Sequence, residues 1–189
     1  MSQPKNGFQV HHIEDAPEES RETLQAINQA YGFLPNLMGI VSESPAALKA
    51  YVTLNRLFKE ESAFSQTEAE LVLLIISAHN GCGYCVAAHS AGGERAGVDA
   101  ATLEDVRQQR ELSDPKLQAL AAFTRKLIDA RGWVEHKDVD AFLQTGYSHR
   151  HLLDLLTALA MKTISNYTNH IAETPLDEAL SAKAWKEAS

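Results

Sequence analysis

The spacing of apolar residues is the feature that most constrains the fold, because it follows the helical repeat along almost the whole chain. Between residues 48 and 58, large apolar side chains recur at intervals of three and four. No run shows the sustained alternation of a half-buried strand. The segment 71–78 is apolar on nearly every side, which predicts a central helix. We therefore predict an all-α protein, a bundle of about eight to ten helices joined by short loops.

Capping residues and helix breakers mark the ends of these helices. Ser65 with Glu68, and Thr67 with Glu70, both fit a capping box, so a helix should begin there and run to about residue 80. Glycine and proline residues mark the ends of the other predicted helices. We expect a loop at 33–36 and the other helices at 17–31, from 45, at 82–96, 99–106, 115–132, 137–144, 149–172 and 175–185.

Length and charge narrow the class of protein. The chain has 189 residues and a formal net charge of −8, from 17 basic and 25 acidic side chains. One domain covering residues 1–189 is expected at this length. The acidic balance argues against nucleic-acid binding. The longest apolar run, Leu71–Ile76, is far too short to span a bilayer. Residues 1–20 lack the apolar region of a secretory signal, so a cytoplasmic location is expected.

The only two cysteines, Cys82 and Cys85, lie three positions apart at a predicted helix start. This spacing can place both sulfurs on one face, where they can meet. The helix N-terminus also carries unpaired N–H groups and a partial positive charge, which favour the thiolate form. A secreted disulfide scaffold would carry more cysteines. In a reducing compartment, such a pair indicates redox chemistry or metal binding.

Two further side chains can join the cysteines. His89 follows Cys85 by one helical turn, so its ring can exchange a proton with that sulfur directly or through a water. If the turn at 80–81 folds the two helices antiparallel, Glu70 returns to the level of His89. A carboxylate among aliphatic neighbours should have a raised pKa and could act as a base or orient the imidazole. The spacing thus predicts a Glu–His–Cys relay with Cys82 in reach.

The combined string Glu70-x11-Cys82-Gly83-Tyr84-Cys85-x3-His89 resembles the alkylhydroperoxidase D-like family, within the carboxymuconolactone decarboxylase superfamily. The resemblance is good over residues 45–100, the expected redox core, and looser over the later helices. Segments 33–36 and 169–177 are similar to the peroxidase-related branch of that family. The resemblance implies the alkylhydroperoxidase D-like helical bundle. It also implies assembly into homo-oligomers, as trimers or hexamers.

The resemblance assigns roles to the matching positions. Glu70 corresponds to the relay carboxylate, His89 to the relay imidazole, Cys85 to the cysteine that they activate and Cys82 to its disulfide partner. The implied activity is that of an antioxidant thiol peroxidase or disulfide reductase, with no metal or organic cofactor. Tyr84 departs from the family pattern, because well-characterised members have histidine at this position and a phenol is a poor base near neutral pH. One step of the relay could therefore be missing.

The mechanism expected from this match uses the cysteines in turn. Glu70 and His89 would draw the proton from Cys85, and the thiolate would attack a hydroperoxide to give a sulfenic acid. Cys82 would then condense with it to form a disulfide. An external dithiol, either a lipoyl-bearing adaptor or a thioredoxin-like protein, would restore the pair by exchange. The cysteines could also divide this labour in the reverse order, because Cys82 is nearer the helix start.

Three alternatives use the same residues differently. His79, Cys82, Cys85 and His89 supply the four nitrogen and sulfur ligands of a tetrahedral zinc site. A redox sensor would form the same disulfide without turnover. A carboxymuconolactone decarboxylase-like lyase would gain no obvious advantage from the thiols.

A polar stretch interrupts the apolar pattern of the long helix near the C-terminus, and this part of the sequence is also open to two readings. It could line a pocket or subunit contact, or it could be a solvent-facing stripe. Its members are Asn166, Tyr167, Asn169 and His170.

Overall fold

The computed structural model describes residues 3–185, and this part of the chain is built from helices with no strand among them. The expected all-α class is confirmed. Within the described residues, nine α-helices are followed by a short 3₁₀ helix over Glu178–Lys183. The α-helices are α1 (Glu18–Tyr31), α2 (Asn36–Val41), α3 (Pro45–Glu61), α4 (Gln66–His79), α5 (Gly83–Arg95), α6 (Ala100–Arg107), α7 (Pro115–Asp129), α8 (His136–Gln144) and α9 (His149–Ala172).

Helix α4 is the centre of the bundle, as its apolar sequence predicts. Its residues from 69 to 78 are all buried, and helices α5, α6, α7 and α9 pack around it. Burial on every side requires apolar side chains at almost every position of the helix. Within this run the polar exceptions are Glu70 and Ser77. Ser77 satisfies its hydroxyl by donating to the Leu73 carbonyl oxygen at 2.6 Å, so Glu70 is the buried group that needs partners from other helices.

One of the two expected capping boxes forms at the start of α4. The Ser65 side chain accepts from the Glu68 backbone N–H, and the Glu68 side chain accepts from the Ser65 N–H. The second expectation is wrong, because Thr67 instead donates its hydroxyl to the Ala96 carbonyl oxygen at 3.2 Å. Glu70 is therefore not used as a cap and faces the interior.

A tight turn at Asn80 and Gly81 joins α4 to α5. Gly81 has a φ of 67°, a left-handed conformation that glycine adopts without steric cost. The Cys82 backbone N–H then donates to the Ser77 carbonyl oxygen at 2.9 Å, which closes the turn. The two helices lie side by side, with Glu70 within hydrogen-bonding distance of His89 as the antiparallel arrangement predicts.

Two expectations about the smaller elements are wrong. Residue 36 begins α2 rather than ending a loop, and the six residues of α2 are too few for a periodic apolar pattern to show. The last segment is a short 3₁₀ helix instead of an amphipathic α-helix reaching Trp185. Its preceding acid, Asp177, does not cap it but accepts from the Asn36 backbone N–H at 3.0 Å and from the Tyr84 hydroxyl.

No helix within residues 3–185 combines the length and apolar character needed to cross a membrane.

Candidate active site

All four residues singled out from the sequence meet in one buried region between α4, α5 and α9. Glu70 enters from α4, Cys85 and His89 from the first two turns of α5, and Cys82 from the position just before that helix. Each of the four has an exposed fraction below 10%. The four side chains come together because the short turn before Cys82 holds the start of α5 against α4.

The carboxylate and the imidazole are in direct contact. His89 Nδ1 lies 3.1 Å from Glu70 Oε2. Burial, reinforced by the charge of a nearby lysine, lowers the pKa of His89, so the ring is neutral near pH 7. A neutral ring facing a carboxylate with Nδ1 carries its proton there, because the carboxylate can only accept. The other ring nitrogen, Nε2, is left as a hydrogen-bond acceptor.

A lysine that the sequence analysis did not consider donates a hydrogen bond to this nitrogen. Lys162 of α9 has no exposed surface, and its Nζ donates to His89 Nε2 at 2.9 Å. The same ammonium lies beside the Cys85 sulfur, where its charge and hydrogen bonding favour the thiolate. The ring nitrogen that is free to accept a proton from Cys85 is therefore occupied by Lys162.

The expected rise in the pKa of Glu70 is wrong. Burial alone would raise it, but the hydrogen bond from His89, the charge that this ring carries when it is protonated at low pH, and the ammonium of Lys59 together lower the pKa to about 2. Lys59 Nζ lies 2.6 Å from Glu70 Oε1 and is about one-third exposed, so it reaches the site from the surface. Glu70 is ionised at neutral pH. It cannot serve as a buried acid, and its role is to hold Nδ1–H of His89.

The two cysteines are unequal acids. Both are free thiols with exposed fractions of 1% and 2%. Burial opposes ionisation of Cys85, yet a hydrogen bond from Cys82 and the charge of Lys162 lower its pKa well below the ordinary value. The hydrogen bond that Cys82 makes to Cys85, together with burial, raises the pKa of Cys82. The negative charge therefore resides on Cys85, and Cys82 is the thiol that donates to it.

The polar stretch of α9 contributes a second donor. Asn169 Nδ2 lies 3.2 Å from Cys85 Sγ and 3.6 Å from Cys82 Sγ. Its carbonyl oxygen, Oδ1, is buried and has no partner. Asn166 is also buried and bonds to Asn80, whereas Tyr167 and His170 are exposed. The stretch is thus split: Asn169 contacts the sulfurs, Asn166 binds the turn before Cys82, and the two aromatic residues face outward.

Tyr84 occupies the position where the sequence differs from the family pattern, and its side chain has a structural role. Its hydroxyl donates to Asp177 and accepts from the Leu37 backbone N–H at 3.3 Å. Burial and then the charge of Asp177 raise its pKa, so the phenol stays protonated. Tyr84 fastens the C-terminal segment and α2 to the start of α5 and supplies no base to the cysteines.

The residues proposed as zinc ligands are not arranged as a cluster. His79 Nε2 pairs with Asp129 Oδ1 at 2.7 Å. Between residues 3 and 185, no group of three or more histidine, cysteine and acidic side chains is placed to hold a metal ion. The ammonium of Lys162 beside Cys85 also opposes a cation there, because like charges repel.

The site residues that sequence reasoning missed come from distant segments. Lys162 directly follows the apolar run 158–161 of α9, and a lysine at the end of such a run is the signal that could have marked it. Asn169 follows it by seven residues, which places both side chains on one face of the helix. Lys59 gives no comparable signal, because an exposed lysine in the last turn of a helix is ordinary.

Comparison with known families places this site in context. The chain's residues 45–126 match the carboxymuconolactone decarboxylase family. The matched part of the chain contains Glu70, Cys82, Cys85 and His89. The resemblance to the alkylhydroperoxidase D-like proteins is confirmed by this match together with the fold. Comparison with curated protein sequences gives no significant match.

Solved structures share the fold over nearly the full length. An uncharacterised peroxidase-related protein from Ralstonia eutropha JMP134, described as an alkylhydroperoxidase AhpD core, is 19% identical with a TM-score of 0.84, covering 98% of this chain and 100% of its own. A peroxidase-related protein from Silicibacter sp. TM1040 is 19% identical with a TM-score of 0.79, covering 95% and 97%. A cysteine-to-alanine variant of the debrominase Bmp8, in complex with 2,3,4-tribromopyrrole, is 17% identical with a TM-score of 0.78, covering 96% and 97%.

Gly92 offers a way to disturb Glu70 alone. A Cβ at this position would lie 2.5 Å from Glu70 Oε2, so Gly92→Ala should push the carboxylate off His89. We expect roughly a tenfold slower reaction of Cys85 with iodoacetamide at pH 7, because Lys162 loses its fixed partner. The matched control is Gly93→Ala, whose Cβ would press on Leu103 Cδ2 at 2.7 Å and away from the site. Equal alkylation rates in the two variants would contradict this assignment.

Proposed function

We propose that the protein is a thiol-dependent peroxidase in which Cys82 and Cys85 cycle between a dithiol and a disulfide. The observation that carries the proposal is the Cys85 sulfur held beside the donors Asn169 and Lys162 of α9 and the Cys82 thiol, surroundings that lower its pKa and favour the thiolate. The thiolate is the nucleophilic form of cysteine, and a second thiol beside it can trap the product. The peroxidase-related proteins that share the fold are consistent with this chemistry.

The cycle has three steps. The Cys85 thiolate attacks the terminal oxygen of a hydroperoxide, so that an S–O bond forms, the O–O bond breaks and an alcohol or water leaves. The Cys82 thiol then condenses with the Cys85 sulfenic acid, which releases water and forms the disulfide. An external dithiol reduces this disulfide by exchange and becomes oxidised itself.

Asn169 favours a hydroperoxide over a disulfide as the oxidising substrate. Its Oδ1 is buried beside the sulfurs without a donor, and an unsatisfied buried acceptor is costly. A hydroperoxide carries an O–H that can supply this hydrogen bond, whereas a disulfide has no donor. The substrate class that fits the site is therefore a small hydroperoxide.

The burial of both sulfurs limits the reductant. A globular partner cannot place a thiol on sulfur atoms that are at most 2% exposed unless the surrounding chain opens. A narrow dithiol, such as a lipoyl arm, can pass through a smaller opening than the rigid surface of a thioredoxin-like protein. Of the two reductants considered, we propose the lipoyl type.

Assembly into a homo-oligomer remains part of the proposal. Four large apolar side chains project outward from α9 with exposed fractions of 48–65%, and burial against another copy would remove them from water. Sedimentation velocity at micromolar concentration tests this, and a monomer would contradict it. The four side chains are Leu153, Leu156, Tyr167 and Ile171.

Counting turnovers tests the function. Purified protein is mixed with excess hydrogen peroxide or tert-butyl hydroperoxide and with dihydrolipoamide, and peroxide loss is followed against a protein-free control. We expect many equivalents consumed per subunit. One equivalent per subunit would instead indicate the redox sensor, and no consumption would leave the peroxidase proposal without support.

A further inference from the structure

We propose that Lys162 is a catalytic residue that protonates the oxygen leaving from the hydroperoxide when Cys85 attacks. This inference rests on the proposed peroxidase function and adds to it the source of the proton.

The surroundings of Lys162 define its charge partner. The side chain is fully buried, and no carboxylate pairs with it in the part of the chain that the structure describes. An ammonium in a core without a counter-ion is strongly destabilising. The Cys85 thiolate is the negative group close to it, and the hydrogen bond of Lys162 Nζ to His89 Nε2 at 2.9 Å fixes the position of the ammonium. Lys162 is thus an acid held at a fixed position next to the nucleophile.

The reaction requires such an acid. When the thiolate attacks R–O–OH, an OH group passes to sulfur and the remaining RO⁻ leaves as a strong base. With a proton from Lys162 the step balances: Cys85–S⁻, R–O–OH and Lys162–NH₃⁺ give Cys85–S–OH, ROH and Lys162–NH₂. General acid catalysis of this kind contributes about 10²–10⁴-fold in rate.

The other titratable groups around the sulfurs are poorer donors. Burial raises the pKa of Tyr51, and burial with the charge of Asp177 raises that of Tyr84, whose hydroxyl is already bound to Asp177. The pKa of Cys82 is raised, and its proton is needed for disulfide formation. His89 is neutral, with Nδ1–H held by Glu70.

The proton returns within the same cycle. Reduction of the disulfide by a dithiol delivers a thiol proton to each cysteine. Cys85–SH then passes its proton to the neutral Lys162 amine, which regenerates the thiolate and the ammonium together. Glu70 and His89 act as positioning residues, because they hold Nε2 toward Lys162 and do not touch the sulfur.

The leaving group provides the test. We compare the parent protein with Lys162→Met in single-turnover oxidation of Cys85. The oxidants are hydrogen peroxide and tert-butyl hydroperoxide, which release strongly basic oxygens, and peracetic acid, which releases the weakly basic acetate. Iodoacetamide alkylation across pH gives the thiolate fraction, by which each rate is corrected. We expect a loss of about 100-fold or more with the two hydroperoxides and less than about tenfold with peracetic acid.

Equal losses with all three oxidants after correction would overturn the proposal, since they would mean that Lys162 only sets the thiolate. Unchanged rates would also overturn it. Lys162→Gln keeps a hydrogen-bond donor without an acidic proton and should resemble Lys162→Met. If neither variant folds, a leaving-group series on the parent decides: a steep fall in rate with leaving-group basicity would contradict acid catalysis. Failure of the peroxidase function is distinct, because the parent itself would not react with hydroperoxide.

Discussion

Cys85→Ser should reduce hydroperoxide turnover at least about a thousandfold, because the variant lacks the nucleophile on which every later step depends. A serine hydroxyl at this position is not ionised near neutral pH and has little reactivity toward a peroxide oxygen. The neighbouring Lys162, His89 and Asn169 would remain in place. The assay is peroxide consumption with dihydrolipoamide in excess.

Cys82→Ser is the matched control, since the same atom is exchanged three residues away. It should oxidise once per subunit and then stop, because no thiol is left to condense with the sulfenic acid. Dimedone labelling followed by mass spectrometry should therefore find the sulfenic acid on Cys85 in this variant. Labelling of Cys82 in the Cys85→Ser variant, at an unreduced rate of peroxide loss, would reverse the two roles.

Glu70→Gln should slow the reaction of Cys85 with hydroperoxide by about a hundredfold. The ionised carboxylate fixes the proton on His89 Nδ1 and leaves Nε2 free to hold Lys162. A glutamine amide can also donate, so the ring can take its other tautomer, with Nε2–H pointing at the ammonium. The single-turnover oxidation rate at pH 7 measures the effect.

Glu68→Gln is a demanding control for the same substitution. Glu68 lies two residues away on α4, and, although burial opposes it, hydrogen bonds from Lys116 and Ser65 also lower its pKa to about 2. It binds Lys116 and Tyr147, away from the cysteines. The oxidation rate of Cys85 should be unchanged in this variant, and an equal slowing in both variants would contradict the role of Glu70.

Both glutamates should also contribute to acid stability with the same sign. The pKa of each falls from 4.5 in its ordinary environment to about 2 in the folded protein. Their stabilisation is therefore complete above pH 4.5 and is lost as the pH falls toward 2. Glu70 contributes up to about 3 kcal/mol to the free energy of unfolding at neutral pH, and Glu68 contributes less because solvent screens its pair with the exposed Lys116. Urea unfolding at pH 7 and pH 3 should show a smaller difference in either glutamine variant than in the parent.

Local signals in the sequence were sufficient for most of the fold. Ser65 marks the start of α4 through a cap that the structure contains, Ser44 and Asp114 cap α3 and α7 in the same way, and Gly32 ends α1 in a left-handed conformation. Helix α2 was not predicted because its six residues make fewer than two turns, which is too short for a periodic apolar pattern to show. The last segment was misassigned because the acid before it serves a contact with Asn36, 141 residues away, rather than the local helix.

The residues of the candidate site also fall into two groups, those that local spacing predicts and those that only the packing of distant helices brings in. Glu70, Cys82, Cys85 and His89 lie within 20 residues and belong to one hairpin, so their spacing was enough to bring them together. Lys162 is 73 residues from His89, and only the packing of α9 against α5 joins them. The error in the pKa of Glu70 has a different origin, because only the burial of the carboxylate was weighed. The pairing with His89, which lowers the pKa most, and the charge of Lys59 from another helix both oppose that burial.

Helix α9 carries both donors to the sulfurs on a single rod of 24 residues, and the opposite side of that rod is the exposed apolar surface. A rigid helix cannot shift its outer side without shifting its inner side. A displacement of the outer side of α9 would therefore also move Lys162 and Asn169 relative to the Cys85 sulfur. A contact made on this surface could therefore alter the surroundings of Cys85, although no side chain spans the distance between them.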